Sequence, residues 1–195
     1  MFSGRDLNLK SYDEHVFVKQ FGGLYEHSPW IAKQVWREID QEKSISIESL
    51  SGKLRTTVDN ASDDQKLALL RAHPELAGKA ATEGTLTPES TDEQSRARLD
   101  LCSPKEFEKC HQLNSAYNEK FDFPFIMAVR NSSRAEILKA FEVRLQNERS
   151  EELVTALAQV HQIAQLRLEA FALTDDSSDR QADAQGNEQS SRTCK

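Results

Sequence analysis

The chain predicts an all-α domain, for three reasons. Strand signals are nearly absent, since the only β-leaning run, Phe121 to Val129, is short and broken by Pro124. Helix starts recur instead, each a capping residue or a proline ahead of apolar residues at helical spacing. The stretch from about Glu151 to Phe171 carries one apolar stripe. With Leu153 at zero and about 100° per residue, Leu157, Val160, Ala164, Leu168 and Phe171 fall within about 60° of it. The expected architecture is a single domain of about seven to nine helices around one core, with a short disordered C-terminal tail.

In chain order, Ser28 is a natural N-cap and Pro29 a first helical residue for a stretch holding Trp30, Ile31, Val35 and Trp36. Ser62-Asp63-Asp64-Gln65 is a capping-box pattern ahead of Leu67, Leu69 and Leu70. That helix should end at His73, because Pro74 disfavours the α region at the residue before it. Ser103-Pro104-Lys105-Glu106 repeats the capping logic before Phe107, Leu113, Ala116, Tyr117 and Phe121. From Thr174 onward Asp, Ser, Gln, Asn and Arg leave almost nothing to bury, so residues 1–173 read as the folded domain and 174–195 as a polar, disordered tail. No internal repeat is visible.

Composition narrows the function classes. A length of 195 residues suits one sizeable domain. The net charge is -7 and the pI about 5.3, with Lys and Arg scattered among acids, which argues against a nucleic-acid partner. No window approaches the roughly eighteen apolar residues of a membrane span. Met1-Phe2-Ser3-Gly4-Arg5-Asp6 lacks the apolar core of a signal peptide. Cys102, Cys110 and Cys194 are odd in number and include no C-x-x-C pair, so neither a disulfide framework nor a zinc site is expected, and a reducing compartment fits. Thr193-Cys194-Lys195 is not an S-K-L-type peroxisomal address, which leaves the cytoplasm as the expected location. His15, His27, His111 and His161 show no metal-ligand spacing, so no metal is expected.

Three features break the helical pattern. Arg167 falls about 40° from Leu153 on that wheel, within the apolar side of the helix, where a guanidinium needs an anionic or carbonyl partner. It either snorkels to the rim or pairs with a structural carboxylate, or else projects into an internal pocket as an anion-binding group. His73 is held on a stiff corner by Pro74 and is either a solvated helix cap or an acid/base. Ser90, Glu93 and Gln94 share one helix face at i, i+3 and i+4. Ser90-Thr91-Asp92-Glu93 is itself a capping box, in which case these side chains serve the backbone. Alternatively Thr87 is the N-cap and Pro88 the first helical residue, and the three side chains are free to face a common site. Local sequence leaves both readings open.

Three stretches give the chain a family resemblance. They are His73-Pro74-Glu75-Leu76-Ala77-Gly78-Lys79, then Gly84-Thr85-Leu86-Thr87 with Glu89-Ser90 and Glu93-Gln94-Ser95, then Leu113-Asn114 with Tyr117 and Lys120-Phe121-Asp122-Phe123-Pro124-Phe125-Ile126. Over roughly residues 10 to 171 the chain resembles the 2-oxo-4-hydroxy-4-carboxy-5-ureidoimidazoline (OHCU) decarboxylases, which make (S)-allantoin in urate breakdown. The resemblance implies an all-α homodimer and a cofactor-independent carboxy-lyase with OHCU as its small-molecule substrate. It places the catalytic pair on His73 and Glu93. Substrate-holding side chains fall on Ser90, Gln94 and Arg167, beside Pro74 and the main chain of Phe125, Ile126, Met127, Ala128 and Val129. Association with, or fusion to, the upstream 5-hydroxyisourate hydrolase is compatible with it. The polar tail has no role in the family pattern, and the peroxisomal signal of some animal members is missing. The competing expectation, from another class, is a helical interaction module in which His73 is a cap, Ser90 to Glu93 a capping box and Arg167 an ion-pair partner.

Overall fold

The computed structural model describes residues 6–40, 44–76, 87–88, 90–91, 95, 104–130 and 132–190, with side chains up to Leu173. Seven helices are delimited among the described residues: α1 (Glu14–Phe21), α2 (Trp30–Glu38), α3 (Ile47–Asp59), α4 (Asp63–Arg71), α5 (Pro104–Phe121), α6 (Arg134–Arg144) and α7 (Arg149–Ser190). Pro88, Ser90, Thr91 and Ser95 are helical as well. Local chemistry accounts for most starts. Asp13 and Ser46 cap α1 and α3 by accepting the Val16 and Ser49 amides, and full capping boxes begin α4 at Ser62/Gln65 and α6 at Ser133/Glu136. α2 differs from expectation by one residue. Pro29 sits at its cap with helical dihedrals and no side-chain hydrogen bond, so Ser28, which is buried, does not act as the capping side chain.

Two short strands, β1 (Asp6–Asn8) and β2 (Ser44–Ser46), pair antiparallel with Leu7 opposite Ile45. Each is three residues with a single buried side chain, too short to write a period-2 signal into the sequence. The stretch Phe121 to Val129 forms no strand; it leaves α5 at Phe121 and runs as an extended loop.

The core has two aromatic centres. Phe17, Phe21 and Trp36 pack with Tyr12 and Phe171 at one end. Tyr117, Phe121, Phe123, Phe125 and Phe141 pack at the other. Each fully buried ring contributes about 1.5–3 kcal/mol relative to exposure. α7 joins the two: of the stripe read from sequence, Val160, Ala164 and Leu168 are buried and Leu153, Leu157 and Phe171 pack half-buried against the core, while Ala156 and Ile163 extend the buried face to one side of it. Its backbone is helical through Ser190, past the Phe171 end of the stripe. Among the described residues no helix is long and apolar enough to cross a membrane.

Candidate active site

The site is built where α7 passes the loop between α1 and α2. Arg167 is 8 % exposed and reaches Glu26, itself 3 % exposed, through Nη2 to Oε2 at 3.1 Å. The same nitrogen lies 3.2 Å from Ser90 Oγ, and Nη1 donates to the Gly23 carbonyl at 3.3 Å. Glu26 takes two hydroxyl donors besides, from Ser90 at 2.6 Å on Oε2 and from Thr87 at 2.6 Å on Oε1. Burial pushes the Glu26 carboxyl up. The hydrogen bonds from Ser90 and Thr87, with the Arg167 and His73 charges behind them, outweigh that and leave it below the usual carboxylate range. Glu26 is therefore a buried, ionised, fully engaged carboxylate, and sequence reasoning missed it. The only signal was indirect: Arg167 on an apolar stripe demanded an anion, and nothing local to Glu26-His27-Ser28 marked that acid out from the other carboxylates in the chain.

Thr87 settles the contest over the helix that carries Ser90. The Thr87 carbonyl accepts the Thr91 amide at 2.9 Å and its hydroxyl accepts the Ser90 amide at 3.3 Å, so Thr87 is the N-cap and Pro88 the first helical residue. Ser90, 3 % exposed, lies inside the helix and spends its hydroxyl on Glu26. The capping box starting at Ser90 does not form. Glu93 and Gln94 lie outside the described residues.

His73 stands on the corner after α4. The helix ends at Arg71, Ala72 is its C-cap, and the His73 amide closes a last turn on the Leu70 carbonyl at 3.2 Å, as the following Pro74 requires. Burial pushes the ring down to about 4; Glu26 opposes this, while Arg167 and His27 add to it. His73 is thus within electrostatic reach of the Glu26–Arg167 cluster and is neutral at pH 7. On its open side it lines a cleft of about 300 Å³ with Arg71, Glu75, Asn118, Asp122, Phe123 and Pro124. The two non-glycine residues with left-handed backbone, His27 (φ 56°) and Asp122 (φ 67°), sit in the two loops that flank this arrangement.

The Phe125 to Val129 segment is held from behind. Arg144 donates to the Ile126 carbonyl at 2.7 Å, stacks 4.5 Å from the Phe125 ring and pairs with the buried Glu152. The Ala128 amide donates to Gln159 at 3.0 Å and the Val129 carbonyl accepts from the Ser132 amide at 3.0 Å. Phe125, Ile126 and Val129 are buried, Met127 and Ala128 partly so. Of the residues expected at the site, the structure joins Ser90 to Arg167 by direct contact and brings His73, with Pro74 beside it, into the same electrostatic neighbourhood. The main-chain groups just named in segment 125–129 have partners within the protein. Among the described residues no three His, Cys, Asp or Glu side chains stand together as a metal set.

Fold and site together define a helical protein with a buried Arg167–Glu26–Ser90 cluster on one side of His73 and a cleft on the other. Comparison with known proteins narrows this. The family model described as OHCU decarboxylase matches residues 10–169. An OHCU decarboxylase of Halalkalicoccus jeotgali is 42 % identical over 89 % of this chain and 95 % of its own length. The solved structure of an (S)-allantoin synthase is 32 % identical, with a TM-score of 0.66 over 83 % of this chain; the chain spans about half, 52 %, of that one. A uric acid degradation bifunctional protein of a Bacillus species is 36 % identical over 85 % of this chain, which corresponds to 31 % of that protein. The chain belongs to the OHCU decarboxylase family.

Proposed function

We propose that this protein decarboxylates OHCU to (S)-allantoin and CO2 in urate degradation, with His73 and Glu93 as its acid/base pair. The observation that carries the reading is the buried Arg167–Glu26–Ser90 cluster beside a neutral His73, in a chain matched to the family over residues 10–169. The Arg167–Glu26 pair alone would also suit a structural ion pair, as Arg144–Glu152 is elsewhere in the core, and it is the family match together with His73 beside the cluster that favours the enzyme.

Loss of the carboxylate as CO2 leaves an electron pair on the ring, which a neighbouring imino or carbonyl group accepts. No external electron sink is then required, and the reaction runs without a cofactor. Of His73 and Glu93, one takes the proton of the ring hydroxyl as the new carbonyl forms and the other delivers the proton that fixes the stereocentre. Arg167, Ser90 and Gln94 hold the carbonyl and ureido groups by directional hydrogen bonds, with Pro74 and the Phe125 to Val129 main chain closing the pocket. Family likeness further supports a homodimer. The bifunctional relative supports physical association with another enzyme of the route, for which the upstream 5-hydroxyisourate hydrolase is the candidate.

The test generates the substrate in place, by oxidising and hydrolysing urate in chelator, and follows optical activity. Rapid appearance of one enantiomer is expected. A racemic product forming at the uncatalysed rate would overturn the enzyme, and activity that needs added zinc would overturn the cofactor-free mechanism.

A further inference from the structure

His73 sits on a non-helical corner, and a catalytic histidine there needs something other than a helix to hold it. The corner runs back along α5 and is tied to it at three successive places. Arg71 donates through Nε to the Asp122 carbonyl at 3.0 Å and through Nη2 to the Asp122 carboxylate. Asn118 Nδ2 donates to the Glu75 carboxylate. Asn114 Nδ2 donates to the Leu76 carbonyl at 2.9 Å. Asn114, Asn118 and Asp122 are spaced i, i+4 and i+8, so they form one ridge on α5 and its end. Leu76, Glu75 and Arg71 meet that ridge in reverse order, and His73 and Pro74 lie between the ties.

Asn114 carries a second clue. It is buried, and its Oδ1 has no hydrogen-bond partner among the described residues. A buried, unsatisfied amide oxygen is unfavourable, and an apolar side chain of similar shape would avoid it. The amide is kept for its donor, which fixes a main-chain carbonyl three residues after His73.

We propose that the Asn114–Asn118–Asp122 ridge is the positioning element for His73, setting where the imidazole stands against the substrate without touching it. The inference rests on His73 being the acid/base, so the experiment includes His73→Asn as its reference. The ridge is probed at Asn118, which is half-buried and at a helix position that tolerates alanine.

Stereoselective turnover and thermal midpoint are measured for Asn118→Ala, Asn118→Asp and the double variant Asn118→Asp/Glu75→Gln. A small shift of a catalytic group costs up to about a hundredfold in rate, so Asn118→Ala should lower kcat about tenfold with KM and midpoint nearly unchanged. Asn118→Asp opposes two carboxylates and should be worse. The double variant reverses donor and acceptor at the same net charge and should recover most of the kcat. Rescue by polarity reversal shows that the contact itself matters, and a purely structural tie would move the thermal midpoint together with kcat in both the loss and the rescue. If His73→Asn is inactive while Asn118→Ala keeps wild-type kcat, the positioning role is wrong and the acid/base reading stands. A fully active His73→Asn sinks both.

Discussion

Arg167 reaches Glu26 and Ser90 from within the apolar stripe of α7, and that pairing decides how its replacement should behave. Arg167→Met keeps the stem and removes the charge, leaving the buried Glu26 carboxylate with its two hydroxyl donors alone. Breaking one side of a buried pair costs about 3–5 kcal/mol, and the surviving donors put the expected loss at the low end, about 3 kcal/mol. KM should also rise about tenfold or more, as befits a lost charge-assisted hydrogen bond to substrate. Adding Glu26→Gln separates the two effects. A neutral amide still exchanges hydrogen bonds with Ser90 and Thr87, so the double variant should regain most of the lost stability and none of the lost affinity. Urea titration and initial rates read the two quantities independently, and a double variant that binds substrate like the wild type would remove Arg167 from the pocket. At His73 the expectation is simpler. His73→Asn keeps a polar side chain without a titratable group, so kcat should fall by about a hundredfold while folding survives.

Elements explain which parts of the site could be read in advance. The α7 stripe, the capping box of α4 and the His73-Pro74 stop are written in local chemistry, and the structure has them where sequence places them. The helix start before Ser90 was undecidable locally, because Ser90-Thr91-Asp92-Glu93 and Thr87-Pro88 both satisfy capping rules. What chose between them is tertiary: Glu26, more than sixty positions away in sequence, takes the hydroxyls of both Thr87 and Ser90. Glu26 was illegible for the same reason, since a loop carboxylate gains meaning only from what folds over it. Arg144, which clamps the Ile126 carbonyl, shares the buried face of α6 with Ile137 and Phe141, the same kind of sign that marked Arg167, but on a short helix with no clear apolar stripe to set it off. The stripe also yields a test at this scale. Leu168 is the last core residue of α7, Phe171 packs at its edge and Leu173 is 61 % exposed. Truncation after Leu173 should therefore leave thermal midpoint and turnover nearly unchanged, and a large loss of either would mean that residues 174–195 dock on the domain.

For the whole molecule, the two buried histidines and Glu26 act in one direction as the solution is acidified. His73 is held down to about 4 against an ordinary value of 6.5, chiefly by burial. His161 is lowered too, first by burial, with Arg55 adding and Asp59 opposing; its neutral ring sits between the Tyr25 hydroxyl at 2.7 Å and Asp59 at 3.2 Å. Glu26 is lowered by its donors. For each group the unfolded chain binds the proton more readily than the folded one. Folding stability must therefore rise with pH across the interval between folded and unfolded values. The contribution of each histidine is complete above about pH 6.5 and drains away as pH falls toward its depressed value, for His73 near 4, at a slope of up to about 1.4 kcal/mol per pH unit. Glu26 adds to the loss below its own ordinary value of 4.5. Denaturant midpoints measured from pH 8 to pH 4.5 should stay level to about 6.5 and then fall, and His161→Gln should make the fall shallower. Activity should outlast this trend: with a base already neutral far below pH 6.5, kcat/KM should hold through the range where stability is declining. A profile that loses activity with a midpoint near 6.5 while the fold is intact would mean that His73 titrates as an exposed imidazole, outside the buried setting in which Glu26 and Arg167 face it.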